Sequence, residues 1–152
     1  MRKLLAVAFA VAAFSAAAEE APARRVLLAW ERTAFKRELM DAMERQLVEK
    51  GYAVTRVEHS RRGLDANAAD FDAVFITNSG VQSEVRPWIV QWLAANRAQA
   101  DRILLHTTQI RDWTVRAEVD AVTSASERRD VDRLAADYVA RLERLIRAPD
   151  AP

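Results

Sequence analysis

Short apolar runs and amphipathic stripes alternate along this chain. Val26-Leu27-Leu28-Ala29-Trp30 is a continuous apolar run, the pattern of a strand buried on both faces of a parallel sheet. After a turn at Glu31 to Thr33, Phe35, Leu39, Met43 and Leu47 recur at four-residue steps. Met40 and Val48 widen the stripe, while Glu38, Asp41, Arg45 and Lys50 lie off it, which predicts an amphipathic helix. Gly51 supplies the left-handed cap that stops it. Ala53 to Val57 reads as a less regular edge strand, and Gly63 to Asp70 as a weak helical turn. Asp72-Ala73-Val74-Phe75-Ile76-Thr77 is a strand without a polar face and, like the first, belongs in the middle of the sheet.

Asn78-Ser79-Gly80 turns the chain. Val85, Trp88, Ile89, Trp92 and Leu93 then mark a second helix, with Pro87 in its first turn. At that spacing the two tryptophans are core residues rather than a stacking platform. Ile103-Leu104-Leu105 forms a strand ending at His106-Thr107-Thr108. Gln109 to Glu118 is shorter than the dozen or so residues a parallel crossover helix needs. Val119 to Thr123 is either a stunted fifth strand or a clamp along the sheet edge. The last helix, from about Glu127 to Arg147, gathers Val131, Leu134, Ala135, Tyr138, Val139, Leu142, Leu145 and Ile146 on one face. Asp137 precedes Arg141 and Glu143 precedes Arg147 by four residues, so its arginines read as an ion-paired surface.

The start of the chain changes the picture of where this domain works. Arg2 and Lys3, the apolar run Leu4 to Phe14 and the small residues Ala16-Ala17-Ala18 form a secretory signal peptide, too short to span a membrane. The expected organisation is a signal over 1–18, a lead-in over 19–24, one domain over 25–148 and a tail over 149–152, in a periplasmic or secreted protein. About 130 residues remain after cleavage, enough to bury roughly two-thirds of their unfolded surface without staples. The chain contains no cysteine, so thiol chemistry and cysteine metal sites are excluded. A net charge of +1 argues against nucleic acid as partner, and no membrane contact is expected after cleavage.

The order of elements, with Val26-Leu27-Leu28-Ala29 leading into the first helix and Phe71-Asp72-Ala73-Val74-Phe75-Ile76 forming the third strand, resembles the flavodoxin family. The resemblance implies an α/β three-layer sandwich: a parallel sheet of four to five strands in the order 2-1-3-4 with a short fifth, and helices on both faces. In that family the turn after strand one is a loop of hydroxyls and glycine in the pattern Ser/Thr, any, Thr, Gly, any, Thr. It wraps the phosphate of FMN at a helix N-terminus. Here Glu31, Arg32, Thr33, Ala34, Phe35 and Lys36 fall on that pattern, and only Thr33 keeps the family's residue. Ala34 replaces the glycine, and Glu31 brings a carboxylate. A unit charge about 4 Å from another costs about 4 kcal/mol at an effective dielectric near 20, a loss of roughly a thousandfold in affinity. Arg32 and Lys36 compensate only if they turn inward. The loop from Asn78 to Gln82 lacks the family's flavin-stacking aromatic, leaving Trp113 as the nearby substitute.

Other chemistry is thinly represented. His106 ends a central strand near Ser79 and Asp112, but Asn78-Ser79-Gly80-Val81 is not a nucleophile elbow, so a hydrogen-bonded structural histidine is expected. His59 is expected to be solvated near the edge strand. Neither histidine has a partner at metal-ligand spacing, so neither a metal site nor a catalytic set is expected. Asp120-Ala121-Val122-Thr123-Ser124-Ala125-Ser126 reads as a strand end with Ser124 or Ser126 capping the last helix. It also resembles the exported-protein motif Asp, any, any, Ser/Thr, Gly, Ala, Thr/Ser, whose last hydroxyl receives FMN covalently. Ser124 stands in the glycine position.

Together these features lead to an exported, non-catalytic flavodoxin-like module without tight FMN binding, holding a small ligand or protein partner at the carboxyl-end crevice. The crevice candidates are Glu31, Arg32, Thr33, Lys36, Asn78, Ser79, Gly80, His106, Thr107, Trp113 and Ser126. The alternative is an FMN-dependent electron-transfer protein or small oxidoreductase, with Ser126 as a covalent attachment point.

Overall fold

Five parallel strands form one sheet in the order β2-β1-β3-β4-β5: β1 (Arg25–Trp30), β2 (Ala53–Glu58), β3 (Ala73–Ser79), β4 (Ile103–Thr108) and β5 (Asp120–Ser124). They are seen in a computed structural model that describes residues 23–80, 84–109 and 117–148. The last extended segment is therefore a true strand, paired from Leu104↔Asp120 to Thr108↔Ser124. The expected weakness of the β4–β5 crossover falls on 110–116, outside the described residues.

Helices α1 (Ala34–Glu49) and α3 (Val131–Arg147) cover one face, and α2 (Pro87–Ala95) with a short 3-10 turn at Ala68–Asp70 covers the other. Strand alternation divides the core. Val26, Leu28, Phe75 and Leu104 face α1 and α3, while Leu27, Val74, Ile76 and Leu105 face α2. Each such side chain, fully buried, contributes about 2 kcal/mol of transfer free energy.

Helix α1 begins and ends as its sequence dictates. Thr33 Oγ1 accepts from the Lys36 backbone N–H at 3.2 Å. At the other end Gly51 has φ 85°, Tyr52 N–H donates to Leu47 O at 3.0 Å and Gly51 N–H to Val48 O at 2.9 Å. Val48, expected on the buried stripe, is instead 57% exposed, because the apolar face is already filled by Leu39, Met40, Met43 and Leu47.

Helix α3 starts later than expected. A 3-10 turn at Arg128–Asp130 precedes it, and neither Ser124 nor Ser126 caps it, since Ser124 lies inside β5. Its surface is ion-paired with different partners from those expected. Asp137 takes Arg133, Arg141 reaches Asp120, and Glu143 takes Lys50. Both α2 tryptophans pack into the core, with Trp92 Nε1 donating to Ala66 O at 2.7 Å.

Candidate functional site

The carboxyl ends of β1 and β3 meet the first turn of α1, and there a cluster of charged side chains closes on itself. Glu31 follows β1, and its backbone N–H donates to Thr77 Oγ1 at 3.2 Å. Lys36 continues the α1 stripe one turn before Met40, which directs its side chain inward; only 2% of that side chain is exposed. Its ammonium donates to Glu31 Oε2 and to Ser79 Oγ, the latter at 2.8 Å. Ser79 Oγ–H in turn donates to Glu31 Oε2 at 2.6 Å. Arg86, just before α2, places Nε 3.7 Å from Glu31 Oε1.

Burial alone would raise the Glu31 carboxyl, but the Lys36 charge and the hydrogen bonds from Lys36 and Ser79 hold it below its usual range. Burial lowers the Lys36 ammonium, against the opposing pull of Glu31. The Lys36 charge and the two hydrogen bonds thus favour the ionised Glu31 carboxylate.

A second layer fixes this cluster. His59 is buried, not solvated: Trp88 Nε1–H donates to His59 Nδ1 at 3.1 Å, so the ring carries its proton on Nε2, which donates to Thr77 O at 2.8 Å. Burial keeps it neutral by lowering its pKa. Asn78 is fully buried, accepting from Arg86 N–H at 3.1 Å and donating to Thr107 Oγ1 at 3.2 Å.

The sequence-named residues therefore separate. Glu31, Lys36 and Ser79 form the cluster. Thr33 caps α1, and Arg32 turns outward to a bidentate pair with Glu58 at 3.0–3.1 Å. Asn78 and Thr107 are buried supports rather than crevice walls. Gly80 lies against β4, where a Cβ would stand 2.9 Å from Thr107 Cγ2. His106 is not in the crevice at all: the alternation of β4 puts it on the α3 face, stacked with Phe75 and beside Tyr138, with Nε2 2.8 Å from Ser124 Oγ. Burial, aided by the Lys36 charge, pushes its pKa down to about 3. Ser126 is exposed on the connection between β5 and α3, and Trp113 lies outside the described residues. Sequence reasoning missed His59, Thr77 and Arg86 as members.

No family model matches the sequence, and no curated protein is similar to it in sequence. Solved structures do resemble it. Oxidised Flavodoxin 2 from Bacillus cereus aligns with a TM-score of 0.54 at 9% identity, over 79% of this chain and 98% of that one. A flavodoxin from the domain Archaea gives 0.51 at 7% identity, covering 80% and 98%. The flavodoxin, WrbA-like protein from Agrobacterium tumefaciens gives 0.50 at 10%, covering 82% and 98%. The chain has a flavodoxin-like fold. That likeness concerns architecture, and the flavodoxin-like crevice here departs from a phosphate cradle. Lys36 and Glu31 neutralise each other at its mouth, and the Thr33 hydroxyl is spent on the helix cap. Neither the Glu31–Lys36 pair nor the Thr33 hydroxyl offers a free charge or donor to a phosphate here, whereas Arg86 Nε, 3.7 Å from Glu31, is buried without a hydrogen-bond partner. Simple repulsion by Glu31, as read from the sequence, does not describe this turn, because Lys36 offsets its charge. Among the described residues no three His, Asp or Glu side chains gather as metal ligands would.

Proposed function

We propose that this chain is an exported flavodoxin-like binding module that does not hold FMN tightly and receives another small ligand or a protein partner at the carboxyl end of its sheet. The observation carrying the reading is the Glu31–Lys36–Ser79 cluster, which occupies the mouth of the β1–α1 turn with an internal ion pair. In open α/β sheets, ligands bind outside the carboxyl ends of the strands where strand order reverses, here between β1 and β3. Export rests on the Arg2 to Ala18 segment. The mature protein is expected to begin near Glu19, and its intact mass after periplasmic extraction checks this.

Freshly purified protein should be colourless. A visible flavin spectrum at near-stoichiometric absorbance would instead support the flavin-dependent alternative, which the Glu31–Lys36 pair at the mouth of the turn disfavours.

A further inference from the structure

Ser79 is unlike the other described serines. Its hydroxyl is half-buried at the end of a central strand, with a carboxylate oxygen at 2.6 Å and an ammonium at 2.8 Å. Hydrogen bonding makes its roles distinct, since the O–H points to Glu31 and the lone pair receives Lys36. A carboxylate placed to accept its proton is what an attacking alcohol requires, and the ammonium beside it holds both oxygens in place. Ser60 and Ser126 are exposed and lie outside this cluster.

We propose that Ser79 Oγ is a nucleophile that accepts an acyl group from an activated ester, so that the ligand class of this crevice is an acyl donor captured covalently. The proposal rests on the crevice being the ligand site, and it adds what that ligand is. In the step, Ser79 Oγ bonds to the ester carbonyl carbon as its proton passes to Glu31 Oε2. The bond from carbon to the leaving oxygen breaks, its electron pair going to that oxygen, which then takes the proton from Glu31. The products are an acyl-Ser79 ester and the free alcohol, with no oxidant or further reactant needed. Lys36 stays charged throughout and keeps Glu31 and Ser79 Oγ in place through its bonds to both.

The groups facing Glu31 define the expected pH response: Lys36 from α1, Ser79 and Thr77 from β3, Arg86 before α2 and neutral His59 after β2. Acylation should have an acid limb below the ordinary carboxylate range, because Glu31 holds its charge there, and an alkaline limb below the ordinary lysine range. An unassisted serine has neither and simply reacts faster as pH rises.

The test treats the full protein with p-nitrophenyl acetate and locates acetyl groups by peptide mass spectrometry over a range of pH. Ser79 should be acetylated at least tenfold faster than Ser60 or Ser126, with the two limbs. Ser79→Ala should lose the fast phase. Glu31→Gln, checked for folding by circular dichroism, should slow it at least tenfold. Acetylation of Ser79 no faster than Ser60 in the unaltered protein would overturn the proposal without recourse to any variant. Failure here leaves the proposal of weak FMN binding standing, whereas tight FMN binding with rapid Ser79 acetylation would overturn only the reading of the cofactor.

Discussion

Replacing Lys36 with Met probes the cluster directly. The substitution keeps the apolar stem that packs with the α1 stripe and deletes the ammonium. Glu31 would then be left with Ser79 Oγ–H at 2.6 Å and Arg86 Nε at 3.7 Å as its remaining favourable contacts. Breaking one side of a buried ion pair costs roughly 3–5 kcal/mol. Because 14% of the Glu31 side chain remains exposed and Ser79 still donates, the loss for Lys36→Met should lie near the lower end, about 3 kcal/mol. The double variant Glu31→Gln, Lys36→Met removes both charges and should recover about 2 kcal/mol of that, since a neutral pair needs no compensation.

The pH dependence has a definite sign. In the unaltered protein Glu31 titrates below its ordinary 4.5, so its stabilisation is present above 4.5 and is lost as pH falls through the folded value. Without Lys36, burial dominates and the folded pKa rises above the unfolded one. The deficit of the single variant should therefore shrink on going from pH 7 towards pH 4. Urea unfolding at several pH values, followed by circular dichroism, measures both effects. A loss below about 1 kcal/mol, or a deficit that grows in acid, would contradict a buried ionic pair.

Three further substitutions test the surrounding structure. His106→Phe should keep the stack with Phe75 and Tyr138 and flatten the acid limb of stability. With the folded pKa near 3 against an ordinary 6.5, the unfolded chain binds the extra proton between those values, so the native histidine loses about 2 kcal/mol by pH 5 that phenylalanine should not. Gly80→Ala should destabilise by roughly 1–3 kcal/mol in thermal melts, because its Cβ would meet Thr107 Cγ2 at 2.9 Å. Ser126→Ala should change stability by less than about 0.5 kcal/mol, as an exposed serine that caps no helix.

Much of the architecture was legible because the strongest signals were local. The apolar runs of β1 and β3 placed both strands in the middle of the sheet, and Gly51 marked the end of α1. The start of α3 was misread since Ser124 and Ser126 look like caps in sequence, while pairing with Thr108 draws Ser124 into β5. The faces of two residues are readable from strand and helix phase. His106 is in phase with Leu104 on β4, which assigns it to the α3 face, and Lys36 is in phase with Met40, Met43 and Leu47. His59 carried no such signal: its partners Thr77 and Trp88 lie 18 and 29 residues away and meet it only in the folded chain.

We propose that an internal ion pair stands where a phosphate cradle would be. Titration of the purified protein with FMN, followed by quenching of flavin fluorescence, tests it most directly. Dissociation constants well above micromolar are expected, in a protein whose Glu31, Lys36 and Ser79 are already mutually satisfied. Submicromolar binding of FMN to the unaltered protein would show that the cluster opens to admit the phosphate, and would contradict the claim.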